Sequence, residues 1–542
     1  MLGQLFHRES AVSHFKRDLV KPLITISFVS LCILSPWTAF AATIHVPADQ
    51  PTIQAGIDAA VDGDLVLVAP GTYQESIDFY GKSIVVQSEG GAGVTSIERG
   101  ATGGSVVTFL DIEDSEPLLD GFDVRRGHGT YGFGGGVYCV NSSSPTIRNC
   151  TITSNMIEYE FAGGGIYCEG SSLTVENCTI SYNCAGCAPE SFGEGGGIYC
   201  LESTLSIIDS TISNNDTRGS GGGINCSDST LTITNCTVED NLAASGGGIE
   251  CYNTSLTMTD SMISSNLAGF WGGGIYCSNS QATITNSAVL LNEASSTGGI
   301  RLSDGSSAII TNCTITKNDA TLTDGGINCS STSTFELTNS IAWGNDGFDF
   351  FIAEGALWEI SHSIVREWYT CFDCIDADPL IAGSGDFHIM EGSPCIDAGI
   401  DTGIGTDIDG DVRPQGDGFD MGADEYLCWD DDGDGFGNPT CNGSDCDDED
   451  PLMYPGSDKD GDGYFGCSDD CNALDPSIHP GAPDPCDGID QDCSGEDGRP
   501  EGKDFDNCDD GLDNDCDGLI DNEDQGCRGC FVGMMMQPSK ER

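Results

Sequence analysis

A six-residue block, G-G-G-[I/V]-x-C, recurs through the middle of the chain and constrains the fold more than any other feature. It stands at 134–139, 163–168, 195–200, 221–226, 246–251 and 272–277, with eroded copies at 298–300 and 325–329. Most copies are followed by L-T-[I/V]-x-[N/D]-[C/S]-x-[I/V]-x-x-N, whole at 173–183 and 231–241. Counted from Val137, Ile166, Ile198, Ile224, Ile249, Ile275, Ile300 and Ile327, the spacings are 29, 32, 26, 25, 26, 25 and 27 residues, a period of about 26. Within each unit apolar residues alternate with polar ones, as in Leu173 and Val175, then Cys178 and Ile180. Period two means strands, not helices. Three short strands per unit cannot bury their inward faces alone, whereas stacked units bury a continuous core.

The expected fold class is therefore all-β: a right-handed parallel β-helix of about 26 residues per coil, followed by a small disulfide-rich, calcium-binding, irregular module. Coils about 4.8 Å apart stack like on like. The eight Val and Ile residues above form one inward column, and Asn149, Asn177, Asn235, Asn286, Asn312 and Asn339 form a ladder of side-chain amides. Cys139, Cys168, Cys200, Cys226, Cys251 and Cys277 share another column. Neighbours there are within disulfide reach, but small buried thiols packing like Ala or Ser explain the column better. Cys236 and Cys313 have Ser at the equivalent positions of both neighbouring coils and cannot pair along theirs. Cys184 and Cys187, and Cys371 and Cys374, lie in insertions suited to local disulfides.

These repeats resemble the secreted bacterial branch of the pectate-lyase-like β-helix superfamily. Thr43-Ile44-His45-Val46-Pro47, with Thr52 to Ala60 and Ala69-Pro70-Gly71-Thr72-Tyr73, is similar to that branch's opening, and the resemblance implies a capping helix before the first coil. Asp376-Ala377-Asp378-Pro379-Leu380, Cys395-Ile396-Asp397-Ala398-Gly399, Thr406-Asp407 and Asp420-Met421-Gly422-Ala423 resemble its closing segment. The domain boundaries read as signal peptide 1–41, capping segment 42–64, β-helix 65–395, closing segment 396–427, Cys/Asp-rich repeats 428–530 and tail 531–542.

Residues 1–41 have the form of a removable secretory signal. Arg8, Lys16, Arg17 and Lys21 precede an apolar stretch, and Ala39-Phe40-Ala41 offers the small residues a signal peptidase needs. The expected location is secreted or on the outer cell surface, with no transmembrane segment after cleavage. Export permits disulfides among the remaining cysteines. With 87 acidic against 20 basic residues, a formal net charge of −67, nucleic acid and anionic membrane are excluded as partners. Extracellular polysaccharide or cell-surface components are the expected ones.

From 428 to 530 the chain has 32 acidic residues, 4 basic residues and 11 cysteines, with almost no apolar pattern. Such a segment needs disulfides, metal or both to fold. Asp458, Asp460, Asp462, Gly463, Tyr464 and Asp469 match positions 1, 3, 5, 6, 7 and 12 of a calcium loop. Asp513, Asp515, Asp517, Gly518, Asp521 and Asp524 repeat the register. Asp430, Asp432 and Asp434 begin a third loop, closed from elsewhere by Asp445 or Asp447, and Asp490 and Asp492 a weaker fourth. Oxygen donors favour Ca2+ over copper or zinc. Asp445-Cys446-Asp447-Asp448 and Cys486-Asp487-Gly488-Ile489-Asp490-Gln491-Asp492-Cys493 resemble a Cys-rich metal-binding motif of bacterial surface proteins.

No catalytic residue stands out. Only Arg148, Arg218, Arg301 and Lys317 are basic between 131 and 345. Gly127-His128-Gly129 echoes a polygalacturonase motif, but its companion blocks are missing. The sequence points to a secreted or cell-surface non-catalytic β-helix serving adhesion, spacing or polysaccharide binding, with a carbohydrate-active enzyme on the same fold as the alternative.

Overall fold

The computed structural model describes residues 41–426, apart from 102, 111–115, 130–131, 142–143, 160, 189, 323, 367–370, 384 and 417, and then 459–464, 471–472, 474–482, 489, 491 and 493. Its framework is a parallel β-solenoid. Helix α1 (Ile53–Ala59) comes before the regular coils, its first turn closed by the Thr52 hydroxyl accepting from Ala55 N–H. Gly56 lets the helix lie on Val46 and Val66, where a Cβ would come within 2.8 Å of a Val66 methyl.

Three long sheets and one short one run along the solenoid. Sheet I has thirteen strands, from Thr43–Val46 to Leu357–Ser361; sheet II has eleven, from Ile77–Asp78 to Phe350–Ile352; sheet III has eleven, from Gly71–Gln74 to Ile341–Trp343. The sequence suggested three strands per coil. A fourth sheet, IV, exists as seven short strands from Met156–Ile157 to Asp319–Ala320. The coil beginning at Ile249 shows the order: Ile249–Tyr252 in sheet II, Ser255–Thr259 in I, Met262–Ser264 in III and Leu267–Trp271 in IV.

The expected inward column is present in register. Val137 pairs with Ile166, then Ile198, Ile224, Ile249, Ile275, Ile300 and Ile327 follow in turn, all 0% exposed. The cysteine column stacks beside it as buried thiols with no disulfide among them, which decides between the two readings. Disulfides do join Cys184 to Cys187 and Cys371 to Cys374.

Each corner uses two residues with separate tasks. The first adopts a left-handed conformation, as Asn253, Asp260 and Ser265 do with φ near +50°, a region that Asn and Asp tolerate best among residues with a side chain. The second points inward and is small and polar: Thr254, Ser261 and Asn266 are buried. Their oxygens accept backbone N–H groups of the preceding coil, Ser229, Cys236 and Asn241 respectively. This satisfies donors that the bent backbone would otherwise leave unpaired. Cys236 and Cys313 occupy such a corner, flanked by Ser in the next coil.

The six asparagines singled out earlier lie at left-handed corners and bond across coils, partly to Asp: Asn177 donates to Asn149, Asn235 to Asp209 and Asn339 to Asn312. A second, inner ladder was not expected. Asn155, Asn183, Asn215, Asn241, Asn266, Asn292, Asn318 and Asn345 are almost fully buried, and each donates its amide to the Oδ1 of the next at 2.9–3.0 Å, the last to Asp349.

The closing segment docks on the last coils. Ala423 N–H donates to the Thr314 hydroxyl, and Asn339 Nδ2 to the Asp420 carbonyl. Beneath it Arg413 and Glu425, both with fully buried side chains, pair at 3.0 Å. Arg413 also donates to the Asp420 and Gly422 carbonyls. Buried charges persist when paired and hydrogen-bonded in this way.

Candidate functional site

The outward positions of sheet II carry the most distinctive side chains on the solenoid. Strand alternation turns the residue after each inward Val or Ile away from the core, and parallel register stacks these into a column: Tyr138, Tyr167, Tyr199, Asn225, Glu250, Tyr276, Arg301 and Asn328, of which Tyr167, Asn225 and Asn328 are buried by their neighbours. The tyrosine rings stack, with centroids 5.7 Å and 5.5 Å apart, and Phe133 leans on Tyr167 at 4.7 Å. Farther along, Trp271 of sheet IV lies 6.1 Å from both Phe270 and Tyr276, and the Arg301 guanidinium sits over its ring at 5.6 Å. Phe270 and Trp271 are 59% and 43% exposed.

Glu250 lies between these aromatic groups. Burial pushes its carboxyl up to about 7; the Ser220 hydroxyl bond opposes this, and the like charge of Glu194 adds to it. Its Oε2 is buried without a hydrogen bond among the described residues. At the opposite border of sheet II, the corners form an open polar groove of about 660 Å³. Hydroxyls of Ser203, Ser229, Thr230 and Ser255, with Asp228 and Asn253, line it. Aromatic faces on one border and hydroxyl and amide groups on the other are the two kinds of surface a sugar chain requires.

Gly127-His128-Gly129 has a packing explanation. A Cβ on Gly127 would fall 1.7 Å from the Gly135 carbonyl oxygen, and Gly127 N–H donates to Asn155 of the inner ladder. Arg125 and Arg126 both pair with Glu98, at 2.8 Å and 2.7 Å.

Of the expected calcium ligands, Asp460 and Asp462 are among the described residues. Asp460 Oδ1 accepts from Asp462 N–H and Asp462 Oδ1 from Tyr464 N–H, the local turning expected of such a loop. Asp462 Oδ2 is buried and accepts no hydrogen bond among the described residues. Cys471 and Cys493 form a disulfide. Asp430, Asp432, Asp434, Asp458, Asp469, Asp490, Asp492, Asp513, Asp515, Asp517, Asp521 and Asp524 lie outside the described residues, as does the signal-like segment 1–40.

A cluster built from the closing segment and the stretch just before it escaped the sequence reading. His388, Asp409 and Asp424 each offer a donor atom, and these atoms lie within 4.8 Å of one another. His388 Nδ1 meets Asp386 Oδ1, and Nε2 lies 3.0 Å from Asp409 Oδ2. The bond to Asp409, reinforced by Asp386, holds the imidazole up to about 9 against the effect of burial. Burial pushes Asp424 up to about 6. A sequence signal existed in the alternating Asp407, Asp409 and Asp411, but His388 is 21 residues from Asp409, and no local pattern joins them.

The profile of the right-handed β-helix region matches residues 103–202, 130–287 and 247–377, together just over half of the chain. The chain belongs to the right-handed β-helix family. A second profile, the MopE copper-binding family described as "Putative metal-binding motif", matches residues 445–458, 470–497 and 503–522 of this β-helix protein. Its C-terminal region thus carries a metal-binding motif. No curated protein matches the sequence significantly. Among solved structures, pectate lyase Pel9A is similar at 16% identity, with 72% of this chain and 97% of that one covered and a TM-score of 0.43. The catalytic unit of a thermostable GH87 α-1,3-glucanase from Streptomyces thermodiastaticus strain HF3-3 is similar at 13% identity, with 61% and 70% covered and a TM-score of 0.30. Among the described residues no helix is long and apolar enough to cross a membrane.

Proposed function

We propose that this β-helix is a secreted or cell-surface protein that binds extracellular polysaccharide along sheet II without cleaving it, and that Ca2+ organises its C-terminal repeats. The supporting observation is the exposed aromatic pair Phe270 and Trp271 beside the outward column of sheet II, with Tyr276 and Glu250 next to it. Exposed aromatic faces are surfaces on which sugar rings pack, and an aromatic ring pair, worth about 0.5–1.5 kcal/mol, sets the scale for such a contact. The formal charge of −67 argues for neutral chains, since a polyuronate would be repelled. Retention on a panel of neutral polysaccharides tests this. Trp271→Ala should weaken retention about five- to tenfold while the supernatant gains no reducing ends.

One observation favours hydrolysis as a second reading. A carboxyl held near 7 beside a second carboxylate, as Glu250 is beside Glu194, has the protonation a general acid needs. Release of reducing ends that disappears in Glu250→Gln would replace the binding reading with this one.

For the C-terminal repeats, all-oxygen loops built on Asp458, Asp460, Asp462 and Asp469, and on Asp513, Asp515, Asp517, Asp521 and Asp524, suit Ca2+. Asp430, Asp432, Asp434, Asp490 and Asp492 would supply the weaker loops. In the full chain, Asp460→Asn combined with Asp515→Asn should reduce calcium uptake measured by calorimetry by removing one ligand charge from each loop. Unchanged uptake would exclude these loops.

A further inference from the structure

We infer that His388, Asp409 and Asp424 form a binding site for one divalent transition-metal ion, separate from the acidic repeats and placed to clasp the closing segment. The closing segment supplies Asp409 and Asp424 and the stretch just before it supplies His388, and the three donor atoms converge within 4.8 Å.

The surroundings have the features of a prepared site. A metal-bound imidazole commonly gives its other ring nitrogen to a carboxylate, which fixes the ring and raises its basicity; here Asp386 occupies Nδ1 and leaves Nε2 facing Asp409 and Asp424. Asp424 is only 5% exposed. Its Oδ2 accepts from Ile389 N–H at 2.8 Å, and Oδ1 accepts no hydrogen bond among the described residues. Asp424, Asp407 and Asp409 crowd three carboxylates around the one His388 ring, and a divalent cation would neutralise more of that charge than a protonated imidazole does. Asp407 braces both acidic ligands: its Oδ1 accepts from Asp409 and Asp411 N–H, and its Oδ2 from Glu425 N–H.

The donor set selects the ion. One imidazole nitrogen and two carboxylate oxygens suit Zn2+, Mn2+ or Fe2+, whereas Ca2+ prefers oxygen alone. An ion there would reinforce the hydrogen bonds that already join the stretch around Ile389 to the turn between Thr406 and Val412 and to Asp424, next to the buried Arg413–Glu425 pair.

The test uses the full, disulfide-intact chain saturated with Ca2+ at pH 7.5, titrated with Zn2+ by calorimetry and with Co2+ by visible absorption. The wild type should bind one equivalent more than His388→Ala, and the Co2+ spectrum of that site should vanish in the variant. Asp386→Asn leaves the three ligands in place and should weaken the site about 10- to 100-fold. It keeps the proposal falsifiable if His388→Ala fails to fold. Equal Zn2+ stoichiometry and affinity in wild type, His388→Ala and Asp386→Asn would overturn it and leave an imidazolium clamped between carboxylates.

Discussion

Single positions in this solenoid are judged by two neighbours, the same position one coil before and one coil after. Ile249 lies between Ile224 and Ile275 with no polar partner in reach, so Ile249→Asp should cost about 4 kcal/mol or more by leaving an unpaired charge in the core. Chemical denaturation of wild type and variant measures this. Glu250 gives a pH signature. Its folded pKa is raised from 4.5 to about 7, so its contribution is fully present below pH 4.5 and is lost as pH rises through 7. Glu250→Gln lacks that loss. It should match the wild type near pH 4 and be more stable by about 3 kcal/mol at pH 8. The inward column was legible in the sequence because burial writes one residue type into every repeat. The raised carboxyl of Glu250 was not, because it arises from burial by neighbouring coils, with the charge of Glu194 adding to it.

Elements are set by corners as much as by strands. The Gly run between sheets IV and II makes each coil's tightest approach: Gly246 has φ of +58°, and a Cβ on Gly247 would lie 2.5 Å from the Gly273 carbonyl oxygen. Gly247→Ala therefore forces two coils apart and should cost at least about 3 kcal/mol, well beyond any propensity term. A lowered melting temperature in calorimetry is the readout. Sheets I to III were legible because their strands alternate over three to five residues. Sheet IV was not. A strand such as Leu267–Trp271 buries Ala268 alone, too short an alternation to separate from a loop. The inner asparagines were visible as the last residue of the second repeat block, yet nothing local distinguishes a buried amide from a turn-forming one.

At the scale of the whole molecule, stability is expected to be a sum of coils and of contacts between neighbouring coils, with the two ends as special cases. Helix α1 lies at one end and the closing segment at the other, where Gly422 packs on Ile341 and Thr314. The acidic repeats were legible in the sequence as a metal-binding motif, through their Asp and Cys spacing. The His388 cluster was not legible, because it exists only once the closing segment has folded back on the stretch just before it.

The inner asparagine ladder also has a direction. Every Nδ2 from Asn155 to Asn345 donates toward the C-terminal end, and the series stops at the Asp349 carboxylate. Side-chain amide dipoles aligned head to tail add together, as peptide dipoles do in an α-helix. The positive end of this array therefore rests on an anion. Each amide is also held in its orientation locally, because its Oδ1 accepts a backbone N–H of the preceding Asn and its Nδ2 donates to a carbonyl of the preceding coil, and Asp349 Oδ1 takes the last two donors, Asn345 N–H and Nδ2. Asp349→Ala removes that terminal acceptor. It should loosen the row progressively from its C-terminal end, with amide exchange rising first at Asn345 and Asn318 and last at Asn155.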